Sequence, residues 1–371
     1  MARNKKRRTR RVQAAVALLA AVIGLGYSAA RVWPEGELAR WLTPVREAVS
    51  GLAASGDAAL NGPGGAPVQV FFAPVAQLNP SGVDDHLVAL IDGAQDHVLA
   101  AFYDLELEMV ADALARKHEA GRQVALVTDS HYEDRPALRR CIDAGVPVVF
   151  DERSPYMHNK FCVVDGRWVW TGSTNITSNG MYRNNNNALL LLSAQLAANY
   201  TLEFVEMFEE HEFGKRSPRN TRHPVVVVDG ISIECYFAPE DGVEKEIVAE
   251  VNAAARTVDF MAFSFTSEPI AEALAERISE GVRVRGLFEA RNANSRYCRD
   301  DYLGGKGAEV RMDKNKYTMH HKVIIVDAKT VVTGSYNFSK SANTKNDENV
   351  LIVHDSGLAA RYTEEFETLF R

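Results

Sequence analysis

Residues 158–175 read HNKFCVVDGRWVWTGSTN, and residues 320–337 read HHKVIIVDAKTVVTGSYN. Both stretches fit the pattern H-x-K-x4-D-x6-G-S-x-N, and every matched pair of residues lies 162 positions apart. Six fixed positions that repeat at a constant offset indicate an internal duplication. The chain is therefore built around two copies of one structural and chemical unit.

Each copy predicts a β-hairpin. Residues 160–165 and 322–327 are short apolar runs that begin with Lys and end with Asp, a pattern typical of a strand buried on both faces. Turn residues follow each run, and second strands are expected at 168–171 and 330–333. Because side chains alternate along a strand, the His and Lys of each copy project to the same side. The hairpin then returns Gly-Ser-x-Asn to the same end of the sheet.

The grouped side chains indicate phosphodiester chemistry without a metal. Two ammonium groups and two carboxamides supply N–H donors for a phosphate diester. Two imidazoles on opposite sides of the phosphorus can divide the work, since one attacks and the other protonates the leaving oxygen. Neither copy contains the carboxylate cluster, or the set of Cys and His, that a metal centre requires. We therefore expect no metal and no cofactor.

At these residues the chain resembles the phospholipase D superfamily, from about Val68 to the C-terminus. The resemblance implies a covalent phosphohistidine intermediate with one His as nucleophile and the other as general acid and then base. It favours His158 as the nucleophile and His320 as the acid, on the family alone. It also implies that the following residues bind phosphate oxygens or assist in binding them: Lys160, Lys322, Asn175, Asn337, Ser173 and Ser335. Asp165 and Asp327 are expected to anchor the hairpins.

One position departs from the family pattern. Members usually carry an acidic residue about eleven positions after the motif Asn, hydrogen-bonded to a catalytic His. Glu348 fills this place in the second copy, whereas the first copy has Asn186. Only one imidazole would then have a carboxylate partner, so the two should titrate differently. The sequence does not indicate which His Glu348 serves, and a weakened activity is the other interpretation of Asn186.

Strands alternate with helices in both halves of the chain, which predicts an α/β fold. We expect two similar phospholipase D-like α/β/α halves, packed as a pseudo-twofold dimer with the active site at their seam and preceded by an N-terminal hydrophobic helix. The predicted division begins with a basic leader that contains a transmembrane anchor or signal peptide (1–31) and a stalk helix with a flexible linker (32–67). The first half (68–213), a connector (214–230) and the second half (231–371) follow.

The leader predicts export from the cytoplasm. Seven of the first eleven residues are Lys or Arg, and the uncharged, mostly apolar stretch Ala14–Ala30 follows. This pattern is typical of a signal anchor or of a cleavable signal peptide, and Ser28-Ala29-Ala30 would serve as a cleavage site. We expect a single-pass protein of the inner membrane with its catalytic part outside the cytoplasm, or a secreted or periplasmic protein if the leader is removed.

The net charge of the chain and the spacing of its cysteines argue against tight binding of nucleic acid and of zinc. The formal net charge is −7, and the chain beyond residue 11 has 35 basic against 49 acidic residues, a charge of −14. This balance gives no chain-wide support for tight nucleic-acid binding, although a local basic seam stays possible. The four cysteines form no C-x2-C pair, which argues against zinc. Cys141 and Cys298 are expected on near-equivalent helices, where a disulfide is geometrically possible.

The preferred function is hydrolysis of phospholipid to phosphatidic acid, by a monomer that contains both catalytic sets and reaches the membrane through its leader. The alternative is an endonuclease of the same superfamily that cleaves DNA or RNA, and a phosphatidyltransferase similar to cardiolipin synthase is third. A non-catalytic binding module, from a different class, is disfavoured because binding requires neither nucleophile nor acid. The loops 153–156 and 314–317, which precede the two motif histidines, are expected at the mouth of the site.

Overall fold

The computed structural model describes residues 66–74, 82–293 and 295–371, all within one compact unit. The predicted leader and stalk helix lie outside the described residues. Within the described ranges, no helix combines the length and the apolar character that a bilayer span requires.

The first half forms a seven-stranded sheet in the order β1-β7-β6-β5-β2-β3-β4. Its strands are β1 (Val68–Ala73), β2 (His97–Phe102), β3 (Gln123–Thr128), β4 (Val148–Phe150), β5 (Lys160–Val164), β6 (Trp168–Gly172) and β7 (Asn186–Leu192). Its helices are α1 (Val83–Gly93), α2 (Glu108–Glu119), α3 (Pro136–Asp143), α4 (Ser178–Tyr182) and α5 (Ala194–Phe208). β2, β3 and β4 run parallel to one another, and the other pairs are antiparallel.

The second half forms an eight-stranded sheet in the order β12-β11-β10-β13-β14-β15-β9-β8. Its strands are β8 (Val225–Val228), β9 (Ile231–Ala238), β10 (Thr257–Ala262), β11 (Arg283–Phe288), β12 (Glu309–Met312), β13 (Lys322–Val326), β14 (Thr330–Gly334) and β15 (Glu348–His354). Its helices are α6 (Val243–Asn252), α7 (Glu268–Ser279), α8 (Asp300–Lys306), α9 (Lys340–Thr344) and α10 (Ser356–Phe370). The extra edge strand β8 lies inside the stretch predicted as a connector.

The two sheets are covered on both faces, which explains the continuous apolar runs in their central strands. Alternate residues of the first sheet pack against α1, α2 and α3 in one core, and the second sheet has an equivalent core. On the other face, α5 packs on β2, β3, β5 and β6 and also reaches β9 of the second half. In the same way α10 packs on its own sheet and reaches β1. The expected packing of sheet on sheet is therefore largely mediated by these two helices, with direct contact between β6 and β14.

Asp165 and Asp327 anchor their hairpins, as the family resemblance implies. Asp165 accepts hydrogen bonds from three consecutive backbone N–H groups, at residues 95–97, and Asp327 does the same at residues 255–257. Each carboxylate thereby ties the hairpin turn to the start of the neighbouring strand. Both residues lie at the hairpin turn, far along the strand from the motif His and Lys.

The cysteine prediction needs correction. Cys141 lies on α3 and is buried in the first core, but Cys298 precedes α8 and packs against the second core. All four cysteines are free, so no Cys141–Cys298 disulfide forms. The physical reason is that equivalent positions of the two halves belong to separate cores on the outer faces of the two sheets. Cys162 is fully buried in β5, as expected of a small apolar side chain.

The two hairpin turns differ in one strained residue. Gly166 and Ala328 occupy the same turn position with φ values of 61° and 53°. A left-handed conformation costs an L-residue roughly 1 kcal/mol, and glycine avoids this cost. Ala328 is exposed, so its methyl group is not needed for packing.

We expect Ala328→Gly to stabilise the protein by about 0.5–1 kcal/mol, since it removes the strain at φ 53°. Gly166→Ala is the reciprocal variant and should destabilise by a similar amount. Urea unfolding at equilibrium measures both. A loss of stability in Ala328→Gly would contradict the assignment of strain to this turn.

Candidate active site

The hairpins bring the predicted residues together at one edge of each sheet. Lys160 and Lys322 are the first residues of β5 and β13, whereas Gly172 and Gly334 end the paired strands β6 and β14. The Ser and Asn that follow each Gly thus return beside the His and Lys. This placement follows from the antiparallel pairing of the two strands in each hairpin.

The two halves hold one another's motif through the backbone. The N–H of His158 donates to the carbonyl of Asp347 at 2.9 Å, and the N–H of His320 donates to the carbonyl of Asn185 at 2.8 Å. Asp347 and Asn185 are equivalent positions, 162 residues apart. The contacts are therefore reciprocal, as a pseudo-twofold relation between the halves requires.

The structure answers which histidine Glu348 contacts. Nδ1 of His158 lies 2.7 Å from Oε2 of Glu348, across the boundary between the halves. Nδ1 of His320 instead lies 2.8 Å from Oδ1 of Asn186. Each imidazole is thus bound by the side chain that follows the opposite motif, and His158 has the carboxylate.

Hydrogen bonds around Asn186 fix the tautomer of His320. The Asn186 carboxamide donates to the carbonyl of Gly180 at 3.0 Å, which leaves its oxygen facing the imidazole. Nδ1 of His320 must then carry the proton, since both Asn186 Oδ1 and the carbonyl of Ser173 are acceptors. The carboxylate of Glu348 sets the same tautomer in His158. Both rings therefore have Nε2 available for chemistry.

The two motif serines support these partners. Ser335 donates to Oε2 of Glu348 at 2.7 Å, and Ser173 donates to Oδ1 of Asn186 at 2.9 Å. Each hydroxyl also accepts from the backbone N–H of a following strand residue. The hydroxyl protons of both serines are thus directed at the side chains that hold the imidazoles. The sequence had predicted that they assist phosphate binding.

Both lysines are buried beside their histidines. Nζ of Lys160 donates to the carbonyl of His158 at 2.5 Å, and Nζ of Lys322 donates to the carbonyl of His320 at 2.8 Å. Each ammonium also lies over an aromatic ring, 4.8 Å from the centroid of Tyr103 for Lys160 and 4.9 Å from that of Phe263 for Lys322. The same two rings contact the imidazoles edge-on at 4.7 Å.

Burial lowers the pKa values of the two histidines and the two lysines, and a bound anion would stabilise their charged forms. Burial lowers the pKa of His158 to about 4, against the opposing effect of the Glu348 carboxylate, and lowers the pKa of Lys160 to about 7. The pKa values of His320 and Lys322 fall well below their usual ranges because both groups are buried and because neighbouring cations repel their protons. A bound phosphate would relieve both effects.

Glu348 remains ionised in this environment. Burial by itself raises the pKa of its carboxyl, but His158, Lys160 and the hydrogen bond from Ser335 lower that pKa below its ordinary value. The charge of Glu348 is therefore present beside His158 at neutral pH.

The motif asparagines have free acceptors at the site. Asn175 and Asn337 follow the Gly-Ser pairs, and Oδ1 of each is buried without a hydrogen-bond partner in the part of the chain that the structure describes. Both side chains are half-buried. The structure thus places them with the histidines and lysines at the strand ends, as the sequence predicts.

A second set of residues, which sequence reasoning missed, joins the two halves beneath the motifs. Oδ1 of Asn349 accepts from Thr171 at 2.6 Å and from Tyr200 at 3.1 Å, while Oδ1 of Asn187 accepts from the equivalent residues Thr333 and Tyr362. These pairs keep the same 162-residue offset as the motif. Extending the internal alignment beyond the Gly-Ser-x-Asn end would have found them.

His321 belongs to this supporting layer. Its Nδ1 lies 3.0 Å from the Asn187 carboxamide and its Nε2 lies 3.4 Å from Glu365. These contacts occupy both ring nitrogens of His321. In the first half, Asn159 takes the same position and contacts Asn349 and Glu203.

A protein-family model described as the cardiolipin synthase, PLD-like domain matches residues 87–208 and 247–370, which together hold both motifs. The chain belongs to the phospholipase D superfamily. Because the family model matches twice, each half of this phospholipase D-like chain corresponds to one PLD-like domain. The mixed α/β structure with two sheets is consistent with two such halves.

Known members are similar to parts of this chain. "Phospholipase D" of Rickettsia felis is 28% identical over 163 residues, which cover 44% of this chain and 82% of the relative. "Mitochondrial cardiolipin hydrolase" of Chlamydomonas reinhardtii is 33% identical over 120 residues, 32% of this chain and 54% of the relative. The solved phosphatidylserine synthase of Haemophilus influenzae Rd KW20 aligns with a TM-score of 0.63 at 13% identity, over 82% of this chain and 86% of that chain. At that identity, the last likeness shows the fold alone.

We expect kcat/KM to have a bell-shaped pH dependence centred below pH 7, because kcat/KM reports the free enzyme. Activity should rise through about pH 4 as His158 loses its proton, and it should fall near pH 7 as Lys160 loses its own; burial also lowers the pKa of His320, which shifts the alkaline limb in the same direction. A soluble aryl phosphodiester, assayed from acid to alkaline pH, measures the profile. An activity that still rises above pH 7 would contradict the assigned protonation states.

The charge of Glu348 should matter more than its hydrogen bond. Glu348→Gln keeps an acceptor for His158 but removes the charge, and we expect kcat to fall about 10²-fold. Asn186→Glu is the matched variant, since it gives His320 a carboxylate. It should raise the pKa of His320 and move the alkaline limb of the profile upward. Unchanged kcat in Glu348→Gln would show that the carboxylate has no role in turnover.

Proposed function

We propose that this phosphodiesterase-type enzyme hydrolyses phospholipid to phosphatidic acid, with His158 as the nucleophile and His320 as the general acid and base. The homologues support a phosphodiesterase-type enzyme in general. The assignment of these two roles rests on one observation, which is that the two imidazoles have different side-chain partners. Only His158 lies against a carboxylate, whereas His320 lies against a neutral amide.

The first step forms a phosphohistidine. Nε2 of His158 attacks the phosphorus, the bond from phosphorus to the headgroup oxygen breaks, and His320 gives its proton to the departing alcohol. The imidazole of His158 becomes a cation, because Nδ1 keeps its proton while Nε2 gains the phosphorus. The carboxylate of Glu348 stabilises that cation. His320 lacks such a partner, which keeps its imidazolium a stronger acid.

The second step releases the product. Neutral His320 now takes a proton from a water molecule, whose oxygen attacks the phosphorus as the bond to Nε2 of His158 breaks. Phosphatidic acid leaves, and His158 and His320 again have the protonation states that they had in the substrate complex. Throughout both steps, Lys160 and Lys322 face the nonbridging oxygens with Asn175 and Asn337, where their N–H donors offset the negative charge.

Phospholipid is preferred as substrate for two reasons. Relatives of this chain carry the names phospholipase D and cardiolipin hydrolase. The acidic body of the chain also disfavours tight binding to nucleic acid. In this proposal the leader keeps the enzyme at the inner membrane, or passes it to the periplasm or medium, and one chain suffices because both motifs are present.

One structural observation favours nucleic-acid cleavage as a second candidate. Tyr156 is 40% exposed and lies next to His158, with their ring centroids 6.4 Å apart. On the other side, the guanidinium of Arg183 and the ammonium of Lys316 lie over the ring of Tyr317. An exposed aromatic ring on one side, and a half-buried ring with cations over it on the other, are typical of a surface for bases and phosphates of a single strand.

The test compares substrates in parallel with the full chain in detergent and EDTA. We expect phosphatidic acid from phospholipid vesicles and no cleavage of single- or double-stranded DNA or RNA. His158→Ala should lose at least about 10³-fold in rate. Cleavage of nucleic acid with intact lipid would establish the second candidate instead.

An aryl phosphodiester separates the roles of the two histidines within the same experiment. An aryl leaving group needs little help from an acid, so His320→Ala should release about one equivalent of phenolate in a burst and then stall as a phosphoenzyme. His158→Ala should show no burst. A burst in His158→Ala and none in His320→Ala would reverse the assignment.

A further inference from the structure

Three glutamates meet behind the His158 motif. Glu203 and Glu206 lie one turn apart on α5, and Glu240 follows β9 of the second half. One carboxylate oxygen from each lies within 4.8 Å of the other two. Glu203 is 3% exposed and Glu206 is 2% exposed, while Glu240 is half-buried. We call these three residues the glutamate cluster.

The hydrogen-bond partners of the glutamate cluster supply no positive charge. The carboxamide of Asn159 donates to Glu203 at 3.2 Å, and that of Asn220 donates to Oε2 of Glu206 at 3.2 Å. Oε1 of Glu206 and Oε2 of Glu240 are buried and have no hydrogen-bond partner among the described residues. Buried carboxylates without a compensating cation are strongly unfavourable, and an unpaired buried oxygen adds to that cost.

The second half has a different arrangement at the same place. Glu365 is the equivalent of Glu203, and it lies 3.4 Å from the imidazole of His321, where the first half has Asn159. Thr368 takes the position of Glu206. The second half therefore has one carboxylate beside an imidazole N–H, whereas the first half has the equivalent carboxylate beside an amide N–H and adds further carboxylates.

From this contrast we propose that the glutamate cluster binds one divalent metal ion, Ca²⁺ in the first instance. The donors are all oxygens, and hard cations such as Ca²⁺ and Mg²⁺ prefer such ligands. Ca²⁺ accepts irregular geometry and mono- or bidentate carboxylates, which suits three glutamates from separate elements. Inner oxygens of the cluster, including the unpaired Oε1 of Glu206, supply ligands.

The ion has a structural role, because its ligands join parts that are distant in the chain. α5 belongs to the first half, Glu240 belongs to the second, and Asn220 in the connector holds Glu206. Through Asn159 the cluster also reaches the strand that presents His158 and Lys160. The ion thus fastens the two halves together near the seam, without touching the reacting atoms.

Calorimetric titration of the full chain, stripped of metal by EDTA and dialysed, tests the proposal with CaCl₂, MgCl₂ and MnCl₂ as probes. We expect one Ca²⁺ per chain and a rise in Tm of about 5 °C at saturating Ca²⁺. Glu206→Gln and Glu206→Thr, the latter copying the second half, should abolish binding. Glu365→Gln is the control and should leave Ca²⁺ binding unchanged.

Stability in EDTA gives a second readout. Without metal, Glu206→Gln should be at least as stable as the unaltered protein, because it removes an uncompensated buried charge; with Ca²⁺ the order should reverse. This reversal is independent of any assay of phosphodiester cleavage. If no cation binds, or if Glu206→Gln binds Ca²⁺ as well as the unaltered protein, the cluster shares protons rather than a metal ion and the proposal fails.

Discussion

Everything at the catalytic centre depends on contacts that cross from one half to the other. Glu348 binds the imidazole of His158, and Asp347 binds its backbone N–H. In the same way, Asn186 and Asn185 of the first half bind the imidazole and the backbone N–H of His320. Neither half can orient its own histidine. The two sheets, the helices α5 and α10 between them, and the threonine and tyrosine bonds to Asn187 and Asn349 all keep the halves in the register that these contacts need.

The second constraint is electrostatic. Two lysines and two histidines are almost completely buried, and the Glu348 carboxylate offsets only part of their charge. Such a group is costly until an anion binds, so the site has an intrinsic preference for an anion. The aromatic rings of Tyr103 and Phe263 lie against the buried ammonium groups and stabilise their positive charge. Substrate binding and the restoration of ordinary protonation are therefore one event.

Much of this arrangement could be predicted from the sequence. Short apolar runs bounded by turn residues gave the motif strands, because a strand buried on both faces leaves that pattern. The partner of Glu348 could not be predicted, since the contact spans 190 positions and depends on how the halves pack. The same holds for the glutamate cluster, whose members meet only in the folded chain. Cys298 was misplaced because helix ends depend on local capping, which a weak repeat does not specify.

In the proposed mechanism, the difference between Glu348 and Asn186 determines the orientation in which a substrate binds productively. A symmetric homodimer built from one copy of the motif must carry the same residue at both positions, so a substrate could bind in either of two orientations with equal result. Duplication within one chain frees the two positions to diverge. In the proposed mechanism only one orientation is productive, with the leaving alcohol toward His320. The enzyme has thereby acquired a polarity, and the surfaces on either side of the phosphorus can specialise separately for the part that stays and the part that departs.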